Sequence, residues 1–132
     1  VLPGAGAPAA AVAASLREGA TTVSGREQLA VRAFADALER LPATLARNAG
    51  YDPVTAVTDL RSAHASGPTA TGLSAETGEP IDAWTAGIVE PRRVFSQAIE
   101  TAAAIVEQLL TIDSVLYPNV ELYGYTPRPE RE

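Results

Sequence analysis

Val1-Leu2-Pro3-Gly4-Ala5-Gly6-Ala7-Pro8 opens the chain. Glycine admits left-handed backbone and close backbone approach, and proline pre-sets φ for a first helical turn, so the run reads as a tight turn entering a helix. Such a junction can present backbone N–H groups and the positive end of a helix dipole to a phosphate or a ribose. The same run is more often an ordinary loop-to-helix junction that needs no ligand, and these residues alone do not decide for a binding turn.

Working outward, Pro8 begins a helix through Arg17 or Glu18, with Val12 and Leu16 on one face and Gly19 as its stop. Ser24 and Glu27 have the spacing of a capping box, and Val31, Phe34, Leu38, Leu41 and Leu45 follow at alternating intervals of three and four. Pro42 lacks the N–H that would bond back one turn, which predicts a kink or break before Asn48-Ala49-Gly50 ends the element. Asp52 caps and Pro53 opens a third helix with Val54, Val57, Leu60 and His64 as its buried stripe, closing at Ser66-Gly67-Pro68.

Between Thr71 and Asp82 the helical period breaks, and Thr77-Gly78 separates segments ending in Leu73 and containing Ile81, which reads as a small hairpin. Near Pro91 the chain re-enters a helix to about Leu110, with Val94, Ala98, Ile99, Ala102, Ile105, Val106 and Leu109 on its buried side. Ile112 to Leu116 alternates as an edge strand would, and the sequence from Pro118 to Glu132 has no period and reads as a tail.

The chain has 132 residues, enough for one domain, and carries a net charge of −6. That charge argues against a nucleic-acid or anionic-membrane surface, since either would repel it. Cysteine is absent, which removes disulfides, thiolate metal sites and cysteine nucleophiles, and a single histidine makes a zinc site a poor expectation. No run approaches the roughly 20 apolar residues of a membrane span, so the expectation is a cytoplasmic protein without a membrane partner. There is no methionine, even at position 1, which suggests a segment of a longer chain. All ten basic residues are arginine, and with the excess of acid this resembles a halophilic composition.

Several ordered blocks resemble one family: the opening run, then Ser24-Gly25-Arg26-Glu27-Gln28-Leu29-Ala30, Ala33-Phe34-Ala35-Asp36-Ala37-Leu38-Glu39 and Leu45-Ala46-Arg47-Asn48-Ala49-Gly50-Tyr51-Asp52-Pro53. Leu60-Arg61-Ser62-Ala63-His64, Thr77-Gly78-Glu79, Asp82-Ala83-Trp84 and Ala86-Gly87-Ile88-Val89-Glu90-Pro91 continue in the same order. They resemble the group II chaperonins, the archaeal thermosome and its eukaryotic cytosolic relatives, in the C-terminal half of the ATP-binding equatorial domain. The resemblance implies a mainly α fold: the helical half of that domain with a small β-hairpin and a short C-terminal strand, residues 1–117 belonging to the domain and 118–132 to a flexible tail.

It further implies ATP or ADP as ligand, with Mg²⁺ bound by an N-terminal half lying upstream. Gly4, Ala5 and Gly6 stand where the family has three glycines approaching the nucleotide sugar. Leu73, Ser74 and Ala75 match positions lining the adenine pocket, and Glu90 matches the acid before Pro91. A carboxylate there can accept from both ribose hydroxyls, though an acid before a helix-opening proline can also serve as a cap. Partners implied are unfolded client proteins and other subunits of a ring, hydrolysis residing in the intact parent. The segment alone is expected to be inactive and to self-associate through uncovered helix faces.

Three departures support an alternative, a chaperonin-derived structural or interaction module with weakened nucleotide binding. Ala5 replaces a glycine, Ala9 stands where an acid is usual, and Ser74 replaces asparagine. Trp84 is expected to be partly buried, Asp36, Glu39 and Asp59 to be solvated surface charges, and His64 to be a satisfied core or rim histidine.

Overall fold

The computed structural model describes residues 1–67 and 69–112. Its elements run β1 (Leu2–Pro3), α1 (Ala7–Gly19), α2 (Gly25–Asn48), α3 (Pro53–Ala65), β2 (Thr71–Leu73), β3 (Pro80–Asp82), β4 (Val89–Glu90) and α4 (Arg92–Leu110). Val1–Phe95 forms one compact unit and the chain from Ser96 onward another.

In the first unit α1, α2 and α3 pack on one another, and the hairpin closes against them. Alanine sets the spacing: Ala9, Ala10 and Ala13 of α1 and Ala35 and Ala46 of α2 are buried, and such small side chains let helix axes approach closely. Ala46, Ala56, Leu60 and Leu73 form the core cluster, with Leu45 and Tyr51 packed against it. Full burial of Leu60 or Leu73 is worth about 1.5–3 kcal/mol each.

Asp52 caps α3 as expected, its Oδ2 accepting the Thr55 N–H at 2.8 Å and the Thr55 hydroxyl at 2.7 Å. The hairpin also forms, β2 pairing antiparallel with β3 in the register Gly72↔Ile81 and Leu73↔Pro80. A second ladder, unforeseen from sequence, pairs β1 with β4, Leu2 opposite Glu90 and Pro3 opposite Val89.

Other expectations are corrected. Ser24 occupies the N-cap of α2 but makes no side-chain capping bond, because the following Gly25 is left-handed (φ +68°) and does not present the first turn to it. Pro42 neither ends nor divides α2; it is fully buried, with its Cβ facing the Gly6 turn. The buried face of α2 is Ala35, Leu38, Glu39, Pro42 and Ala46, whereas Phe34 and Leu41 are 39% and 53% exposed. Of the periodic large residues only Leu38 is buried. The same rotation leaves Val12 of α1 and Val54 of α3 outward, the buried pair of α3 being Ala56 and Leu60.

Glu39 is the main correction among the charges. It is buried instead of solvated, and it bonds Arg17 and Arg61. Trp84 is 48% exposed. In α4 no residue is buried, so the face carrying Val94, Ile105, Val106 and Leu109 is uncovered where burial was expected. Ile112 lies in no strand, and the rest of the expected strand and the tail fall outside the described residues.

Candidate functional site

The Gly4–Ala7 turn is closed by the Ala7 N–H donating to the Gly4 carbonyl at 3.0 Å, and both central residues are left-handed, Ala5 at φ +56° and Gly6 at φ +78°. This is the φ pattern of a type I′ turn, which suits Gly6 and strains Ala5. Gly4 is buried beneath it: its N–H donates to the Ile88 carbonyl at 2.8 Å, and a Cβ there would stand 3.0 Å from Ile88 Cγ2. The turn is stitched to the hairpin by the Leu73 N–H, which donates to the Ala5 carbonyl at 2.8 Å.

These contacts, with the β1–β4 ladder, gather three separated segments around one cleft of about 430 Å³. Ala5 and Gly6 come from the turn, Leu73 and Ala75 from the hairpin, and Glu90 from β4; Leu45 is among the residues adding apolar wall. Five of the seven residues expected from sequence therefore line a single cavity. Gly4 lies behind the turn. Ser74 is held in the hairpin, its Oγ accepting the Glu76 N–H at 3.3 Å and the Thr77 N–H at 3.2 Å.

Among the described residues Glu90 is the only ionisable side chain lining this cleft, and it is half-buried. Burial pushes its carboxyl above the ordinary glutamate value. Its carboxylate accepts no hydrogen bond among the described residues. The Ala5 and Gly6 amides likewise donate to no acceptor among the described residues. Acceptor and donors thus flank an apolar space, the usual composition of a small-molecule site.

A second cleft, of about 510 Å³, lies among α1, α2 and α3, and there Arg17, Glu39 and Arg61 satisfy one another. Both Arg17 and Arg61 reach the Glu39 carboxylate: Arg17 Nη2 is 2.6 Å from Oε2, Arg61 Nε is 2.7 Å from Oε1, and Arg61 Nη2 also contacts Oε2. Arg17 also pairs with exposed Asp36. Burial acts to raise the Glu39 carboxyl, yet the hydrogen bonds from Arg61 and Arg17 outweigh it and hold the group below its ordinary range. His64, at the edge of this cleft, donates from Nε2 to the Thr71 carbonyl at 2.7 Å, the satisfied role expected of it. Among the described residues no group of acids and histidine is placed to hold a metal, and no helix is long and apolar enough to cross a membrane.

The model of the TCP-1/cpn60 chaperonin family matches residues 1–119. Thermosome subunit alpha of Halobacterium salinarum and thermosome subunit 1 of Haloferax volcanii are each 54% identical over 116 residues, covering 88% of this chain and 21% of theirs. The chain thus spans about a fifth of the length of the curated relatives it matches. An open-state monomer of a group II chaperonin from Methanococcoides burtonii superposes with a TM-score of 0.80 at 43% identity, over 85% of this chain and 28% of that one. Its mainly helical architecture, its ordered blocks and these likenesses agree, and the chain belongs to the group II chaperonins of the TCP-1/cpn60 family.

Proposed function

We propose that this chain supplies the adenosine side of the ATP pocket in an ATP-dependent protein-folding chaperonin subunit. The observation that carries this reading is the convergence of Ala5, Gly6, Leu73, Ala75 and Glu90 on one cleft, with an unpartnered carboxylate facing that space and two unpartnered amides in its wall. Leu73 and Ala75 cover the faces of the base. Glu90 accepts from the ribose hydroxyls, charge-assisted bonds that are stronger in a partly dehydrated site. The Ala5 and Gly6 amides and the first turn of α1 face the negative end of the ligand. Gly4 and Ser74 act behind these groups, one closing the turn and the other the hairpin.

Phosphoryl transfer requires a phosphate cradle, Mg²⁺ and an acid that orients water, groups that this reading assigns to the rest of the subunit. The intact protein then couples nucleotide to closure of a ring of such subunits around unfolded clients. The 132-residue chain alone has no ATPase activity and self-associates through the apolar face of α4, so sedimentation should show species larger than a monomer.

ATP titration into a full-length subunit containing this segment tests the reading. Glu90→Ala should weaken ATP about 10- to 100-fold, the loss of about 1.5–3 kcal/mol for hydrogen bonds to a charged group. Unchanged affinity with a lower Tm would make Glu90 a helix cap and favour the structural-module alternative, which Ser74's engagement in the hairpin turn also supports.

A further inference from the structure

The turn and β2 approach each other more closely than side chains allow. A Cβ placed on Gly72 would stand 2.7 Å from Ala5 Cβ, 2.7 Å from the Ala5 carbonyl oxygen and 2.9 Å from the Gly4 carbonyl oxygen. Unstrained carbon contacts lie near ~3.5–4.0 Å. Gly72 is not among the residues with positive φ, so its backbone does not demand glycine; the space above it does. Ala5 is the reverse case, a residue with a side chain in left-handed backbone, which persists only where the surroundings hold it. Two contacts hold it: the Ala5 carbonyl accepts the Leu73 N–H, and the Ala5 methyl lies over Gly72.

We propose that Gly72 is a positioning residue of the cleft, coupled to Ala5. Its missing side chain seats the Ala5 methyl against β2 and so fixes the Ala5 and Gly6 amides in the cleft wall. The coupling stands on the geometry alone; its consequence for nucleotide rests on the function proposed above.

A double-mutant cycle on the full 132-residue chain tests it, with Tm measured for the wild type, Gly72→Ala, Ala5→Gly and the double variant. Gly72→Ala should lower Tm by about 5 °C or more, and by at least about a third less in the Ala5→Gly background, where one of the three close contacts is gone. An equal loss in both backgrounds, or a change within about 1 °C, overturns the coupling. Backbone amide resonances supply the readout that a purely local packing defect would not move. Those of Ala5 and Gly6 should shift in Gly72→Ala and return toward the wild type in the double variant, and shifts confined to residues 71–73 overturn the positioning role.

Should Gly72→Ala fail to fold, amide exchange at Leu73 in the folded Ala5→Gly variant decides. Exchange faster by about threefold or more supports the seat, and unchanged exchange overturns it. In a full-length subunit Gly72→Ala should weaken ADP at least about tenfold. Unchanged ADP affinity beside a coupled Tm cycle would overturn the nucleotide consequence while leaving the Ala5–Gly72 pair intact.

Discussion

Glu39 and Glu90 are both withdrawn from solvent, in different company. Glu39 sits among three helices with two guanidiniums on its carboxylate, and they hold it ionised against the cost of burial. Glu90 lines the cleft beside apolar walls with nothing among the described residues to bond it, and burial raises its pKa. A buried charge with its partners in place is finished structure. A partly buried charge without them is a candidate site for a partner from outside the fold. The helical region therefore carries stability, and on the function proposed above the cleft carries binding.

The largest effect should come from removing Glu39. Glu39→Ala removes the acceptor through which α1, α2 and α3 are joined while the part-exposed guanidiniums turn to water, costing about 1.5–3 kcal/mol in denaturant unfolding. A loss under about 1 kcal/mol would reduce the cluster to an ordinary surface pair and weaken the contrast with Glu90.

The two acids should also respond oppositely to pH. The folded pKa of Glu39 lies below its unfolded value, so its contribution is present above about pH 4.3 and is lost as pH falls through the lowered value. The folded pKa of Glu90 is raised, so its contribution is full below the unfolded value and is lost as pH rises through the folded one. In Tm measured from acid to neutral pH, Glu39→Gln should diverge downward from the wild type as pH rises. Glu90→Gln should diverge slightly upward. Parallel curves for the two variants would erase the distinction.

Ala5→Gly should produce the smallest change, a stability gain under about 1 kcal/mol, because relief of the left-handed backbone is partly offset by the greater freedom of glycine in the unfolded chain. A clear loss of stability would mean that the methyl's contact over Gly72 outweighs the strain.

Local signals were legible in the sequence and non-local ones were not. Asp52-Pro53 declares a helix start through bonds within three residues, and Thr77-Gly78 declares a hairpin tip. Arg17, Glu39 and Arg61 are each 22 residues from the next, so no periodicity links them, and an acid on a helix reads as solvated until its neighbours are known. The β1–β4 ladder joins segments almost ninety residues apart through two residues on each side, too short for an alternating pattern. The face of α2 was misplaced because the periodic large residues drew attention from the alanines, which decide how closely helices approach. For the cleft, the resemblance supplied the candidate residues; which five share a cavity depends on the turn, the hairpin and that ladder together.

The most direct test of the central claim, that Glu90 awaits the ribose of a nucleotide, compares ATP with 2′,3′-dideoxy-ATP by calorimetric titration of a full-length subunit and its Glu90→Ala variant. The expected result is a loss of about 10- to 100-fold for ATP on substitution, with 2′,3′-dideoxy-ATP already weakened to a similar degree on the wild type and losing nothing more on the variant. Equal losses for both nucleotides, or no loss for either, would contradict the claim.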